Sequence, residues 1–355
     1  MTDLPSGVSQ RDVADLLGLS VSTVSRALSD NDRVSDLTKR AVRDAFWTLA
    51  TRNNQESPRP GDTVSRPMIG LTVSHVSDDQ SPQTLDINFS EVLAGAELAC
   101  ARAGVIPYPW QGSRRLIDDQ GASFFQHVSG VITVGGVVDN AVIETIRRSS
   151  LPAVIAGSQY LGSGISSVGS DNTHGLTLAM DHLLGLGHRR IALINGPDTT
   201  HTSAEKLAGY LTSLLAAGIP FDPALVVSRP GFRGFEETAG DEAATELLQL
   251  PDPPTAIVCA FDQNAVGVYR AAARLGFAIP ADLSVVGFHD DDVARAAVPP
   301  LTTIRVQRSQ WGEVAVEVLL RLREPQPTRG THTLIPVEFV TRESTAPPRS
   351  AAPST

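Results

Sequence analysis

Between Leu19 and Ala27 the residues Ser20, Val21, Ser22, Thr23, Ser25 and Arg26 place four hydroxyls, one small apolar tip and a guanidinium within a single short span. A guanidinium can grip a guanine edge through two hydrogen bonds or anchor a phosphate, whereas the short hydroxyls of Ser20, Thr23 and Ser25 suit phosphates or helix capping. A second concentration of reactive groups is His289, Asp290, Asp291 and Asp292. It invites a metal or an acid/base pair, but neighbours on one loop do not converge through spacing alone. Cys100 lies in a helical run and Cys259 in an apolar strand, too few and too isolated for a disulfide framework or a metal site. They read as buried structural thiols. No catalytic residue, metal or cofactor is expected, and the chain reads as a non-enzyme.

The elements that must carry the first group follow from local rules. Ser9 precedes Val13, Leu16 and Leu17, spaced i, i+3 and i+4, so it can cap a short helix with an inward apolar stripe. Gly18 then permits a left-handed turn, and Ser20 can cap a second helix whose inner side holds Val24, Ala27 and Leu28. Ser35 opens a third, with Ala41, Val42, Ala45, Phe46 and Leu49 on one face. The pattern fits a helix-turn-helix whose outward residues Val21, Ser22, Ser25 and Arg26 meet base edges. It also fits a plain helical bundle with Arg26 in solvent.

The 355 residues call for two or three folded units. With 41% apolar and 19% charged residues, 29 Gly and 24 Pro, the composition suits a soluble α/β protein and argues against disorder or a fibrous repeat. No apolar run approaches the ~18 residues of a membrane span, and the first residues lack the pattern of a secretory leader. No membrane partner and a cytoplasmic location are expected. The net charge of −10 opposes a polyanion partner if spread evenly. It is not: up to residue 54, seven basic side chains from Arg11 to Arg52 meet seven aspartates from Asp3 to Asp44. The acidity belongs to the rest of the chain.

The run from Val8 to Val42 resembles the LacI/GalR regulator signature, sharing Asp12, Val13, Ala14, Gly18, Ser20, Thr23, Val24, Ser25, Arg26, Leu28, Val34, Ser35 and Thr38. The resemblance implies a helix-turn-helix reader of double-stranded DNA. It also implies that Val21 and Ser22 help set operator preference, with Val21 placed to meet a thymine methyl. After Leu49 the family continues into a hinge helix bearing a minor-groove leucine. Here Ser57 replaces an alanine, Pro60 stands at the wedge position, and Pro58, Pro60 and Gly61 oppose helix propagation. The linker therefore reads either as a flexible tether or as a change in DNA geometry.

From Met68 apolar runs alternate with helical segments, the rhythm of parallel βαβ units, and the rhythm restarts after Asp171. Helices are expected over 88–103, 116–126, 204–217, 238–250, 264–275 and 309–322, with a terminal strand, LIPVEFV, crossing back between lobes. The fold class is thus α/β: an all-α helix-turn-helix domain (1–52), a Pro-rich linker (53–67), a two-lobed periplasmic-binding-protein-like module (68–345) and a disordered tail (346–355). DNTHGLTLAMDHLLGLGHRRIALINGP and PADLSVVGFHD followed by PPLTTIRV resemble the same family.

The family fold puts an effector in the cleft at the strands' C-terminal ends. Sugar-responsive members carry an arginine, an asparagine and an aspartate where this chain has Lys206, Phe261 and His289, and a polyol-binding pair where it has Gly157 and Ser158. Asp262 keeps the family acid. An ammonium cannot hold paired hydroxyls as a planar guanidinium does. The exchanges point to an anionic group near Lys206 and His289 and a flat ring on Phe261, as in a sugar derivative, a nucleoside or an anionic metabolite. Ser74 and His75, at the end of the first strand, are placed either to reach the cleft from the other lobe or, for the serine, to cap the strand end. The resemblance implies a homodimer on a near-palindromic operator, acting by default as a repressor. The alternative is a cytoplasmic ligand sensor with weakened DNA binding.

Overall fold

The computed structural model describes residues 9–28, 34–35, 38–39, 41–42, 45, 67–73, 82–110, 124–135, 139–160, 162–228, 236–323 and 330–349, and of 82–88 the backbone alone. The chain divides into two units, 1–65 and 66–355.

In the first unit Ser9 caps α1 (Gln10–Leu17) through a reciprocal capping box with Asp12. Gly18 ends it with φ 63°, a conformation open to a residue without Cβ, and Leu19 N–H donates to Ala14 O at 2.9 Å. α2 (Val21–Leu28) follows at once, with Thr23 N–H on Ser20 Oγ. Ser35 does the same for Thr38 at the opening of the third segment. Val13, Ala14, Val24, Ala27, Val42 and Ala45 form the core. Three of the six are fully buried valines, each worth roughly 1.5–3 kcal/mol against exposure. Phe46, Leu49 and the linker up to residue 66 lie outside the described residues.

The second unit holds two six-stranded sheets. Lobe 1 has the order β11-β5-β4-β3-β1-β2, built from β1 (Met68–Val73), β2 (Ile106–Trp110), β3 (Val131–Val134), β4 (Ala153–Ala156), β5 (Ser166–Ser170) and β11 (His332–Ile335), all paired parallel. Lobe 2 has the order β12-β10-β9-β8-β6-β7: β6 (Ile191–Ile194), β7 (Val226–Val227), β8 (Ala256–Cys259), β9 (Ser284–His289), β10 (Thr302–Arg305) and β12 (Glu338–Val340). Only β12 runs antiparallel among these pairs. Strands such as β3, β4, β6 and β8 are buried along their whole length, as expected where helices cover both faces of a parallel sheet.

Helices α3 (Pro82–Ala103) and α4 (Asn140–Arg148) belong to lobe 1; α5 (Asn172–Gly185), α6 (His201–Ala216), α7 (Glu237–Leu248), α8 (Asp262–Leu275) and α9 (Asp292–Ala296) to lobe 2. α10 (Arg308–Arg321) leaves β10 of lobe 2 and packs on α3 of lobe 1. The approach is backbone to backbone. A Cβ on Gly95 would stand 1.8 Å from Ser309 O, and one on Gly312 1.9 Å from Val92 O.

Some expectations need correction. LIPVEFV is not one strand: Pro336 has no N–H to donate, and the chain switches sheets there, β11 in lobe 1 and β12 in lobe 2. α3 starts at Pro82 rather than residue 88, a proline at the first helical position costing no hydrogen bond. Of the helix expected at 116–126, only its end falls in the described residues, which show helix over 124–127. The tail read as disordered from 346 is ordered to Arg349. Ala346 O accepts from the buried His188 ring at 2.9 Å and from Ser284 Oγ at 3.0 Å, and Arg349 pairs with Asp282.

Candidate functional site

In the first unit, α2 presents Ser20, Val21, Ser22, Ser25 and Arg26 on its exposed face, with Val21 45% accessible, while Val24 and Ala27 face the core. Thr23 is only half-exposed, its hydroxyl drawn to Ser20 Oγ at 2.8 Å, which also meets Ser22 Oγ at 2.9 Å. Arg26 lies back along the helix, Nε donating to Ser22 O at 2.9 Å and Nη2 reaching Ser22 Oγ at 3.2 Å. These contacts hold hydroxyls and a guanidinium on one solvated surface, the donor set needed for phosphates and a purine edge. Leu16 of α1, expected on the inward apolar stripe, is instead 46% exposed, so of that stripe only Val13 is fully buried.

In the second unit, the C-terminal ends of β8 and β9 and the first turns of α6 bring Lys206, Phe261 and His289 together. Phe261 and His289 rings lie 5.0 Å apart, and His289 stands edge-on to Phe288 at 5.4 Å. Lys206 is 2% exposed; its Nζ donates to Ala260 O at 2.7 Å and stands 4.7 and 4.1 Å from the centroids of Phe261 and Phe288. This alters the expectation of an anion hook. The ammonium is satisfied by a carbonyl and two ring faces, an arrangement that is strong when desolvated.

Burial draws the Lys206 amine down to about 7, against the pull of Glu205 and Asp262. Burial, then the nearby Lys206 and Arg308, hold the His289 imidazole well below its usual range, so the ring is neutral. Asp262, fully buried at the start of α8, accepts from Thr303 Oγ1 at 2.6 Å and from Asp291 N–H at 2.8 Å. Burial nonetheless pushes it up to about 7. Its role is to tie β10 and the loop after β9 to α8.

From lobe 1, Ser158 is buried just after β4. The neighbouring Gly157 lies under Trp311, whose indole Nε1 donates to Ser170 Oγ at 3.2 Å. Trp311, Phe288 and Arg308 were missed by sequence: the first two read as ordinary core positions, and nothing local marks the third. Arg308 spans the lobes, with Nη2 on Asp291 at 2.8 Å and Nη1 3.3 Å from Glu91 of α3. Ser74 and His75 lie outside the described residues.

The acidic run after His289 does not converge on a metal or a substrate. Asp290 pairs with Arg305 and Arg342, Asp291 with Arg308, and Asp292 with Arg295. Each carboxylate is engaged by guanidinium groups. Among the described residues no group of His, Cys, Asp or Glu has metal-holding geometry, and no helix is long and apolar enough to cross a membrane.

Residues 10–50 match the model for bacterial regulatory proteins of the lacI family, and residues 180–345 that for a periplasmic binding protein-like domain. The HTH-type transcriptional repressor CytR of Escherichia coli (strain K12) is 31% identical over 350 residues, covering 96% of this chain and 97% of that protein. Among solved structures, a transcriptional regulator CelR–cellobiose complex superposes with a TM-score of 0.68 at 28% identity, covering 95% of this chain and 99% of its own. The lac repressor dimer bound to operator and the anti-inducer ONPF gives 0.66 at 26%, covering 96% and 99%.

Proposed function

The chain belongs to the lacI family of bacterial regulatory proteins, and on that premise we propose which residues read DNA and which meet the effector. It is a DNA-binding transcriptional regulator with an effector-binding two-lobed module. Ser20, Val21, Ser22, Ser25 and Arg26 contact a near-palindromic operator, Arg26 through a guanine edge or a phosphate; Thr23 orders the first turn. Two copies of the chain present two readers, as the lac repressor dimer does to its operator. The protein acts in the cytoplasm, as a repressor, without catalysis of its own. The domain limits are those of the sequence, 1–52, 53–67 and 68–345, with the ordered residues 346–349 added to the module.

The observation that carries the effector assignment is the ring cluster Phe261–His289 above a buried, internally satisfied Lys206. A neutral imidazole and a partly exposed phenyl face favour a flat ring with neutral hydrogen-bonding groups, such as a nucleoside or an aryl-substituted sugar, over a ligand chosen for its negative charge. Ser158, buried just after β4, completes the site from lobe 1; for Ser74 and His75 the assignment to the same effector rests on sequence alone. Closure of the lobes around such a ligand shifts the readers and so the DNA affinity.

Gel-shift titration against the DNA upstream of the chain's own gene, with and without hits from a thermal-shift screen of sugars, nucleosides and phosphorylated metabolites, tests both parts. Sequence-selective binding that a hit changes is the expected result. Binding no tighter than to competitor DNA, with a flat salt dependence, would leave a ligand sensor without a reader.

A further inference from the structure

Two successive residues at the mouth of the cleft sit in backbone conformations that side chains avoid: His289 at φ 114° and Asp290 at φ 61°. Such strain persists only where neighbours over-determine it. The neighbours are arginines. The Asp290 side chain is 2% exposed; its Oδ2 accepts from Arg305 Nε at 2.8 Å and its Oδ1 from Arg342 Nη2 at 2.5 Å. Arg295 Nη1 stands 3.7 Å away.

Arg342 comes from beyond the last strand, in the segment that follows β12. It is itself fixed, its Nη1 donating to Leu301 O at 2.7 Å and its backbone N–H to Thr302 Oγ1 at 2.9 Å. Two residues on, Ser344 Oγ donates to Val285 O at 2.6 Å and accepts Thr302 N–H at 2.8 Å, stitching the same segment across β9 and β10. The guanidinium thus reaches Asp290 from a rigid base on β9 and β10. Since the backbone angles at 289 and 290 direct the imidazole towards Phe261 and Phe288, whatever holds Asp290 also aims His289.

We propose that Arg342 is a positioning residue for effector recognition: by clamping Asp290 it keeps the strained turn that sets the His289 ring against Phe261 in the cleft. The proposal rests on the reading of His289 as an effector contact. It gives the C-terminal segment a share in ligand specificity without a contact to the ligand, since a pre-organised side chain binds more tightly than one that must be ordered on binding.

The test uses the full-length protein labelled at histidine Cε1, the His289 resonance being identified by its loss in His289→Gln. In the unaltered protein the resonance carries ring-current shifts from Phe261 and Phe288. Arg342→Met is expected to move it towards the position of a free histidine while the His188 resonance, bonded to the same C-terminal segment at Ala346, stays in place. Arg342→Lys, which keeps the charge and loses the fork, should give a smaller displacement. Should Arg342→Met fail to fold, Asp290→Ala removes the carboxylate but keeps the Cβ that makes the positive φ costly, and it must displace the His289 resonance in the same way.

An unmoved His289 resonance overturns the proposal. So does joint movement of the His188 and His289 resonances, which would make Arg342 an anchor of the segment and nothing more. A thermal-shift hit that binds the unaltered protein should bind Arg342→Met about tenfold more weakly. If His289 moves as expected but ring-bearing hits bind equally well to His289→Gln, the effector reading fails while the clamp itself stands.

Discussion

The reader and the cleft handle polar groups in opposite ways. On α2 the hydroxyls of Ser20 and Ser22 and the guanidinium of Arg26 stay at the surface, bonded loosely to one another over a six-residue core. In the cleft Lys206, Asp262 and Asp290 are buried, and each is bound to carbonyl, amide, hydroxyl or guanidinium partners. A surface that will exchange water for phosphate can leave its donors solvated until the partner arrives. A site kept dry must first satisfy its own charges, because an unpaired buried charge is prohibitive. A charge read from sequence therefore stays at the solvated surface on the exposed α2 face, whereas in the cleft it is already bound by the protein's own groups.

The sharpest way to break this comparison is to remove the small core beneath the reader. Val24→Asp buries a carboxylate among the five other apolar side chains of that core, a cost of several kcal/mol, on the order of 4. Sequence-selective gel shifts should disappear while calorimetry still records cooperative unfolding of the two-lobed module; loss of both would deny the two units their independence. Next in size is the pH dependence created by Asp262. Its folded value of about 7 lies above the ordinary 3.8, so between those limits the folded state binds the proton more tightly and stability falls as pH rises. Asp262→Asn cannot ionise. Relative to the parent it should gain about 1.4 kcal/mol for each pH unit across that window, read from urea midpoints at pH 4.5, 5.5 and 6.5. Parallel curves for the two proteins would mean that the buried acid is not paying this desolvation cost.

A smaller effect is expected for Arg26→Ala. It should weaken binding to the selected operator by about 1–3 kcal/mol in equilibrium titrations and leave the unfolding midpoint within error. A uniform loss on all sequences, with a shallower salt slope, would move Arg26 from base edge to phosphate. Smallest is Ser20→Ala, which removes a cap worth about 1 kcal/mol. Its loss should appear in the melting of the reader before it appears in affinity.

How much was legible in the sequence tracks how local each determinant is. The cap at Ser9 and the turn at Gly18 were readable because their partners lie within a few residues, and the inward Val24 because helical spacing alone sets which face it shares with Ala27. The alternation of strands and helices was readable for the same reason. The break at Pro336 was also written in the chain, but its consequence, a change of sheet, depends on where two other strands lie. The burial of Lys206 depends on Ala260, 54 positions away, and on Phe288 beyond it. No spacing rule carries that. The strained His289–Asp290 pair likewise follows from arginines 15 and 52 residues downstream of Asp290.

The switch of sheets at Pro336 is one of three places where the chain passes between lobes, with those before Asn172 and before Arg308. In consequence neither lobe is a contiguous stretch of gene. A single recombination break can exchange the whole module, but not one lobe, without orphaning α10 or a sheet-edge strand. In such an architecture a binding surface shared by both lobes is altered by point changes within it rather than by swapping halves.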